Sequence, residues 1–239
     1  MNLVIDLGNT FQKIALIEND IIIDILQFEH INESDLEIID KKYKPQKAIL
    51  SSVIENDNAV KHWLKNHYQY FEVNSSSKLP FINDYETKQT LGTDRIAAVT
   101  GARKYISQGN LLVIQAGSCI TFDFIDSNNH YQGGSISPGI KMKLEALHNF
   151  TGKLPLIKYK EIDYLCGKNT EESILAGVIQ GTTAEINGMI NNYEEKYSQI
   201  SIIITGGAIK YFEKSLKNIN FAVPNLVIIG LNILLELND

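Results

Sequence analysis

The sequence predicts an α/β fold of two similar halves, each with a mixed sheet flanked by helices, and a ligand-binding cleft between the two halves. The main observation is an internal repeat. Segments 3–10 and 112–119 both show an apolar strand that ends in a polar residue, followed by glycine, a small polar residue and a second strand. Strands also alternate with helices in both halves. We expect the boundary near residues 105–110, which gives halves of 1–107 and 108–239.

Composition narrows the class of protein. The chain has 239 residues, 44% of them hydrophobic, and a net charge of −6, so it is typical of a soluble domain and nucleic acid is not an expected partner. No apolar run is long enough to span a membrane. The two cysteines, Cys119 and Cys166, do not form a disulfide framework. A cytoplasmic location is the default expectation.

In the first half, apolar runs bounded by turn residues predict strands, and apolar residues at three- and four-residue spacing predict helices. Strands are predicted at 2–7, 11–17, 20–28, 47–51 and 68–73, and helices at 33–40, 56–66 and 93–106. Trp63 and Leu64 mark the core face of the 56–66 helix. Thr93 or Asp94 is expected near the N-cap of the last helix.

The second half repeats this plan. Strands are predicted at 110–115, 119–126, 130–136 and 200–205, and helices at 138–149, 170–196, 208–216 and 224–237. Pro138 is expected in the first turn of its helix, where a missing amide costs little. Thr170 is expected to cap the long helix, with Glu171 and Glu172 favouring its start through the helix dipole.

The turn that follows the first strand carries the first candidate site. Asp6 ends a buried strand, where its carboxylate can hold a hydrated Mg²⁺. Asn9, Thr10 and the backbone amides can contact phosphate oxygens, because glycine at position 8 leaves the backbone open. Lys13 reaches the same anion if its strand faces the cleft. The alternative is a turn-capping aspartate with a solvated lysine.

A second candidate site begins the helix that closes the first half. Asp94 can accept a hydroxyl proton, and Arg95 can hold a carboxylate through two hydrogen bonds. Tyr85, seven residues before Gly92, can form the wall of a substrate pocket. The alternative is an aspartate N-cap beside a surface arginine.

The second half has three glycine turns of its own, at 117, 133–139 and 206–207. The last can pack against an adenine ring or a ribose, and Thr170 is either a cap or a ligand-binding hydroxyl. The sequence contains neither a G-x-x-x-x-G-K-[ST] nor a G-x-G-x-x-G motif, so P-loop and dinucleotide-binding readings are not supported.

Taken in order, these motifs resemble the type III pantothenate kinases of the acetate and sugar kinase/Hsp70/actin superfamily. The motifs are Asp6–Thr10, Gly92–Arg95, the hairpin at 112–123, Gly133-Gly134, Pro138-Gly139, Asn169-Thr170 and Thr205–Gly207. The resemblance implies two ribonuclease H-like lobes and ATP-dependent phosphorylation of the 4′-hydroxyl of pantothenate, the first committed step toward coenzyme A. It also implies a homodimer.

The resemblance implies a role for each matched residue. Asp94 would be the general base. ATP and its Mg²⁺ would be bound by Asp6, Leu7, Gly8, Asn9, Thr10, Phe11, Gln12, Lys13 and Ser118, with Asp6 reaching the metal through water. Pantothenate would be bound by Tyr85, Gly92, Thr93, Asp94, Arg95 and Thr170.

One position departs from the family pattern. The family usually has an aspartate where this chain has Gln115, and that carboxylate helps to bind K⁺ or NH₄⁺. Gln115 offers a carbonyl oxygen without a charge, so we expect a weak or absent requirement for a monovalent cation. Two alternatives remain at this point: a kinase of the same fold acting on another hydroxylated substrate, and a regulatory nucleotide-binding module that has lost catalysis.

Overall fold

The computed structural model describes residues 1–54, 57–212, 216 and 218–239. They form two compact units. Unit 1 comprises Met1–Gln108, Asn129–Gln132 and Asn225–Asp239, and unit 2 comprises Gly109–Asn128 and Gly133–Pro224.

Unit 1 is built on a five-stranded mixed sheet in the order β3-β2-β1-β4-β5. Its strands are β1 (Asn2–Leu7), β2 (Gln12–Glu18), β3 (Ile21–Phe28), β4 (Lys47–Ser52) and β5 (Gln69–Glu72). The central strand β1 is antiparallel to β2 and parallel to β4. Leu3, Ile5 and Leu7 of β1 are fully buried, and the predicted core residues Trp63 and Leu64 are buried with them.

Four helices belong to unit 1: α1 (Glu33–Tyr43), α2 (Asn58–His67), α3 (Thr93–Tyr105) and α6 (Leu226–Leu237). Helix α6 packs closely on α3 because each helix has a glycine where the two cross. A Cβ on Gly230 would lie 1.7 Å from the Ala97 carbonyl oxygen, and one on Gly101 would lie 2.4 Å from that of Leu226. The sequence-based division assigns residues 224–237 to the second half, whereas these contacts place α6 in unit 1.

Unit 2 contains a second mixed sheet, with the order β11-β10-β7-β8-β9. Its strands are β7 (Asn110–Ala116), β8 (Cys119–Ile125), β9 (His130–Pro138, whose first three residues belong to unit 1), β10 (Ile200–Thr205) and β11 (Phe221–Ala222). Its helices are α4 (Ile140–Asn149) and α5 (Thr170–Lys196). The central strand β7 is antiparallel to β8 and parallel to β10, just as β1 is antiparallel to β2 and parallel to β4. The predicted repeat is therefore confirmed.

Several helix predictions need correction. Pro138 ends β9 rather than opening a helix, and α4 begins two residues later. Helix α5 has the predicted bounds, but its N-cap is Asn169, whose side chain accepts from the Glu172 amide at 2.9 Å. Of the helix predicted at 208–216, the structure shows a short 3₁₀ turn, Ile209–Tyr211. Residues 213–215 lie outside the described residues.

In unit 1 a further short strand, β6 (Ile82–Asn83), pairs in parallel with the first two residues of β9. Neither β6 nor β11 has a sequence signal, since each is only two residues long. Within the described part of the chain, no helix combines the length and the apolar character needed to cross a lipid bilayer.

Candidate active site

A row of polar side chains crosses the sheet of unit 1 at the carboxyl end of β1. Asp6 is paired with Lys13 of β2 on one side and with Ser51 of β4 on the other. Residues at paired positions on neighbouring strands project from the same face of a sheet, so the three side chains lie side by side. The Lys13 side chain therefore lies beside Asp6 in unit 1.

Ser51 extends this row to helix α3. Its side chain is almost fully buried, and its Oγ lies 2.9 Å from Oγ1 of Thr93, the first residue of the helix. Sequence reasoning missed Ser51. The available signal was the polar pair Ser51-Ser52 where the strand predicted at 47–51 ends.

Asp6 is electrostatically coupled to Asp94, although the two are far apart in the sequence. The pKa of the Asp6 carboxyl is raised from its ordinary value of 3.8 to about 7, first by burial and then by the Asp94 carboxylate, while the Lys13 ammonium lowers it. Like charges held close together favour a bound cation, because a cation relieves their repulsion. Unit 1 therefore brings both predicted carboxylates into one site.

The turn after β1 places its residues in different surroundings. Leu7 is part of the core, whereas Asn9 is exposed and Thr10 is partly exposed. Phe11 is 48% exposed. A Cβ on Gly8 would lie 2.8 Å from the Phe11 carbonyl oxygen, so the turn depends on glycine at that position. The backbone and the two small polar side chains are the groups suited to a phosphate.

Gln12 has a structural contact of its own. Its side chain is buried, and its Oε1 accepts a hydrogen bond from the Ile31 amide at 2.6 Å. Among residues 6–13, Gln12 and Leu7 thus have side chains committed to the core of unit 1.

Helix α3 begins at Thr93 with Gly92 as its N-cap, so Thr93 and Asp94 lie next to the N-cap as expected, and no side chain caps the helix. A Cβ at position 92 would lie 2.6 Å from Oδ1 of Asp94. The Asp94 carboxylate therefore rests against the bare backbone of the N-cap. Arg95 is buried, which contradicts the reading of a surface arginine, and its guanidinium carbon lies 5.6 Å from the centre of the Tyr85 ring.

Replacing Gly92 by Ala tests this arrangement. The backbone angle of Gly92, φ −56°, suits alanine, so we expect the free energy of unfolding to change by less than about 0.5 kcal/mol. The new methyl group displaces the Asp94 carboxylate, and we expect kcat to fall by about 10- to 100-fold. Steady-state kinetics and thermal denaturation measure both effects. Gly152→Ala is the matched control, because a Cβ there meets nothing within 4 Å; equal kcat values for the two variants would contradict the assignment.

In unit 2, three glycine-bearing segments meet at the end of β7. The amide of Gly139 donates to the Ser118 carbonyl at 2.9 Å. Gly206, at φ +105°, packs against Ala116, whose carbonyl also accepts from the Ala208 amide at 3.0 Å. Side chains are excluded from this junction, since a Cβ on Gly139 or Gly206 would come within 2.4 Å of a backbone oxygen. The turn that carries Ser118 is therefore surrounded by backbone.

A cavity of about 420 Å³ adjoins this junction in unit 2. Gly117 and Ala208 line it on the backbone side. Tyr159 and Tyr211, whose ring centres are 3.8 Å apart, line it as well. An apolar, aromatic cavity next to a glycine turn is suited to a flat ring attached to a phosphate chain. No sequence signal linked Tyr159 to this turn.

Gln115 takes part in a chain of hydrogen bonds within unit 2. Its Nε2 donates to Oγ1 of Thr121 at 3.3 Å, and that hydroxyl donates to Oδ2 of Asp123 at 2.9 Å. Asp123 is fully buried. The Gln115 amide nitrogen is therefore a donor in a network that ends on a carboxylate.

Thr170 is exposed at the start of α5 and lines a second cavity of unit 2, of about 880 Å³, between α4 and α5. Thr170 is one of the residues predicted to bind pantothenate. The others, Tyr85 and residues 92–95, belong to unit 1.

The two units share one strand plan, and each carries a glycine turn after its central strand, one of them beside an acidic pair. Small-molecule kinases of known structure share this fold of two mixed sheets. Solved structures agree on the fold. A glucokinase from an Antarctic psychrotroph matches with a TM-score of 0.53 at 13% identity, covering 98% of both chains. A Campylobacter jejuni protein, provisionally named a conserved Baf family transcriptional activator, matches with a TM-score of 0.62 at 23% identity, covering 98% of this chain and 97% of the other.

Sequence comparison resolves the class further. The family model for type III pantothenate kinase matches residues 2–192. Type III pantothenate kinases from Christiangramia forsetii and Bacteroides fragilis are each 41% identical over 240 aligned residues, covering all of this chain and 99% of theirs. The chain belongs to the type III pantothenate kinase family.

Proposed function

We propose that this protein transfers the γ-phosphoryl group of ATP to the 4′-hydroxyl of pantothenate, in the first committed step of coenzyme A synthesis. The observation that carries the proposal is the coupled pair Asp6 and Asp94 beside the buried Arg95. One carboxylate is available for a metal ion and the other for a hydroxyl proton. The loss-of-catalysis alternative is not favoured, because both carboxylates are retained.

Unit 1 holds the acceptor. Pantothenate carries a carboxylate and a hydroxyl, and the Arg95 guanidinium can bind the carboxylate through two hydrogen bonds. Tyr85 packs on Arg95 and forms the wall of the site. Asp94 then faces the hydroxyl, which fits its place in the first turn of α3.

The donor set of unit 1 fits a hydrated Mg²⁺. The Asp6 carboxylate and the Ser51 hydroxyl are oxygen groups of the kind that Mg²⁺ and its bound waters prefer. No cluster of three or more His, Cys, Asp or Glu side chains able to hold a metal occurs among residues 1–54, 57–212, 216 and 218–239. Asp6 would hold the ion through water. When bound, the ion neutralises charge on the transferring phosphate.

The nucleotide is held by backbone amides more than by side chains. We assign the phosphates to the turn at Gly117 and Ser118 of unit 2. In unit 1, Asn9, Thr10 and Lys13 offer groups of the kind that contact a phosphate. The nucleoside end occupies the 420 Å³ cavity, against Tyr159 and Tyr211.

The reaction is a direct, in-line transfer in which no phosphoryl group rests on the protein. Asp94 orients the hydroxyl and takes its proton as the oxygen attacks phosphorus, and ADP leaves. Positioning by Arg95 supplies much of the acceleration, because the two reactants are held in attack geometry.

We also propose a homodimer that works in the cytoplasm. Phe150 and Leu165 of unit 2 are 87% and 80% exposed, and apolar groups this open are suited to burial by a second subunit. Mass measurement in solution tests this proposal.

The activity of the enzyme should depend little on K⁺. Gln115 brings no negative charge, so we expect rates in K⁺ and in Na⁺ at equal ionic strength to agree within about twofold. Gln115→Asp should introduce K⁺ activation, since it adds a second carboxylate on a network that already ends on Asp123. A potassium titration of both proteins measures this, and steep activation of the natural chain at low millimolar K⁺ would contradict it.

A coupled assay of ADP release tests the proposed function. Purified chain with ATP and Mg²⁺ should release ADP only when pantothenate is added. Other small hydroxy acids and sugars, tested at the same concentration, should support less than about a tenth of that rate, because sugars lack the carboxylate for Arg95 and shorter hydroxy acids hold their hydroxyl at a different distance from it. A faster reaction with another acceptor would reassign the substrate.

A further inference from the structure

The segment that carries Tyr85 is followed by a stretch with little burial of its own. Residues 86–90, directly after Tyr85, are all exposed. Yet Tyr85 lies over the guanidinium of Arg95, with 5.6 Å between the ring centre and the guanidinium carbon. Something other than its own neighbours in sequence must hold the tyrosine in place.

The first anchor is backbone pairing with the start of β9. The Ile82 amide donates to the Asn129 carbonyl at 3.0 Å, and the Asp84 amide donates to the Tyr131 carbonyl at 3.1 Å. These bonds flank β6 and end one residue before Tyr85. They fix the backbone of the segment but not the direction of the tyrosine ring.

The second anchor is the ring of Tyr131. It is 1% exposed, and its centre lies 6.0 Å from that of Phe81 and 6.2 Å from that of Tyr85. Aromatic rings at this separation attract each other beyond their burial. A continuous series of contacts therefore runs from Phe81 through Tyr131 and Tyr85 to Arg95.

The third anchor is polar and lies on the same segment. His130 Nδ1 and Asp84 Oδ2 are 2.7 Å apart, and Gln132 Nε2 lies 3.4 Å from the same oxygen. The His130 and Asp84 side chains are about a third exposed, so the bond contributes less than the buried ring does.

We propose that Tyr131, assisted by the His130–Asp84 pair, is a positioning residue for the acceptor substrate. It holds Tyr85 against Arg95, and the packed tyrosine keeps the guanidinium oriented toward the substrate carboxylate. The inference rests on the proposed function, because it assigns Arg95 to that carboxylate. Tyr131 itself touches neither substrate nor reacting atoms.

Tyr131→Leu is the principal test, because it removes the ring and keeps an apolar side chain. We expect KM for pantothenate to rise about tenfold, as loss of an aromatic pair predicts, with KM for ATP and kcat within about twofold. Tyr131→Phe keeps the ring and should restore KM. An equal change in both KM values, or the same loss in Tyr131→Phe, would overturn the proposal.

A second readout needs no substrate. Lys88 lies in the exposed stretch, so tryptic cleavage after it should be several-fold faster in Tyr131→Leu than in the natural chain. If the chain phosphorylates no pantothenate, the proposed function falls, but the cleavage rate still decides whether Tyr131 fixes this segment. An unchanged cleavage rate would overturn the anchoring.

Should Tyr131→Leu fail to fold, His130→Ala replaces it, since His130 is partly exposed. We expect KM for pantothenate to rise about threefold, in keeping with a partly exposed ion pair. His30→Ala, at an exposed histidine of unit 1, is the matched control and should leave KM unchanged. Equal KM values for the two variants would exclude the pair from the positioning role.

Discussion

Replacing Asp94 by Asn should lower kcat for pantothenate phosphorylation by at least about 100-fold while ATP still binds. Asparagine has the shape of aspartate but cannot take the hydroxyl proton. The surroundings should survive, because Asp94 rests against the backbone of Gly92 and no side-chain cap depends on it. Removing the Asp94 charge also removes its repulsion of the Asp6 carboxylate, so the free energy of unfolding should not fall.

Single-turnover phosphorylation and direct titration of ATP binding separate the two parts of this prediction. Asp163→Asn, at an exposed aspartate of unit 2, is the matched control and should have normal kcat. Near-normal turnover in Asp94→Asn would remove this residue from the role of base. Loss of ATP binding without a change in the chemical step would give it a different role.

Replacing Asp6 by Asn should abolish activity and, at high pH, make the free protein more stable. The metal loses its carboxylate, so we expect kcat to fall by at least about 100-fold. The stability effect has the opposite sign because burial and Asp94 make the ionised form of Asp6 costly in the folded chain. The carboxylate that the site needs for catalysis therefore lowers the stability of the folded chain.

The pH dependence of that gain follows from the pKa of Asp6, which is about 7 in the folded protein against an ordinary value of 3.8. Between these values the folded chain binds more protons than the unfolded chain, so its stability falls as pH rises from about 4 to about 7. Asp6→Asn removes this loss. We expect a gain of about 2 kcal/mol at pH 8, less than the full pKa change implies because Asp6 is partly solvated, and almost none at pH 4.

Denaturant unfolding of both proteins without Mg²⁺, at pH 4 and pH 8, measures this effect. A gain of the same size at both pH values would mean that asparagine simply packs better. A loss at pH 8 would mean that the Lys13 interaction outweighs burial, and it would contradict the account of Asp6.

The repeat of segments 3–10 and 112–119 predicted the fold because both central strands follow the same rules. An apolar run ending in a polar residue and glycine places a hairpin at the same edge of each sheet. The resemblance to the family gave Asp6 and Asp94, which are far apart in sequence, separate roles in one reaction, and these roles stay predictions. In the folded chain the two carboxylates are electrostatically coupled.

Other features depend on contacts that no local pattern encodes. Helix α6 joins unit 1 because Gly101 and Gly230 allow two backbones to meet, and neither glycine reveals its partner in the sequence. Pro138 suits a strand end as well as a first helical turn, so its position alone was ambiguous.

Two contributors to the site came only from strand register. Ser51 lies beside Asp6 because β4 pairs with β1 in one particular alignment. Tyr131 reaches Tyr85 because β6, two residues long, pairs with β9. Such alignments are set by the packing of whole elements rather than by neighbouring residues.

Phosphorus NMR of a reaction containing the purified chain, ATP, Mg²⁺ and pantothenate tests the central claim most directly. As ADP appears, a phosphomonoester on the pantothenate 4′-hydroxyl should grow in equal amount, and neither signal should grow with Asp94→Asn. Release of inorganic phosphate without that ester, or the same ester at an undiminished rate from Asp94→Asn, would contradict it.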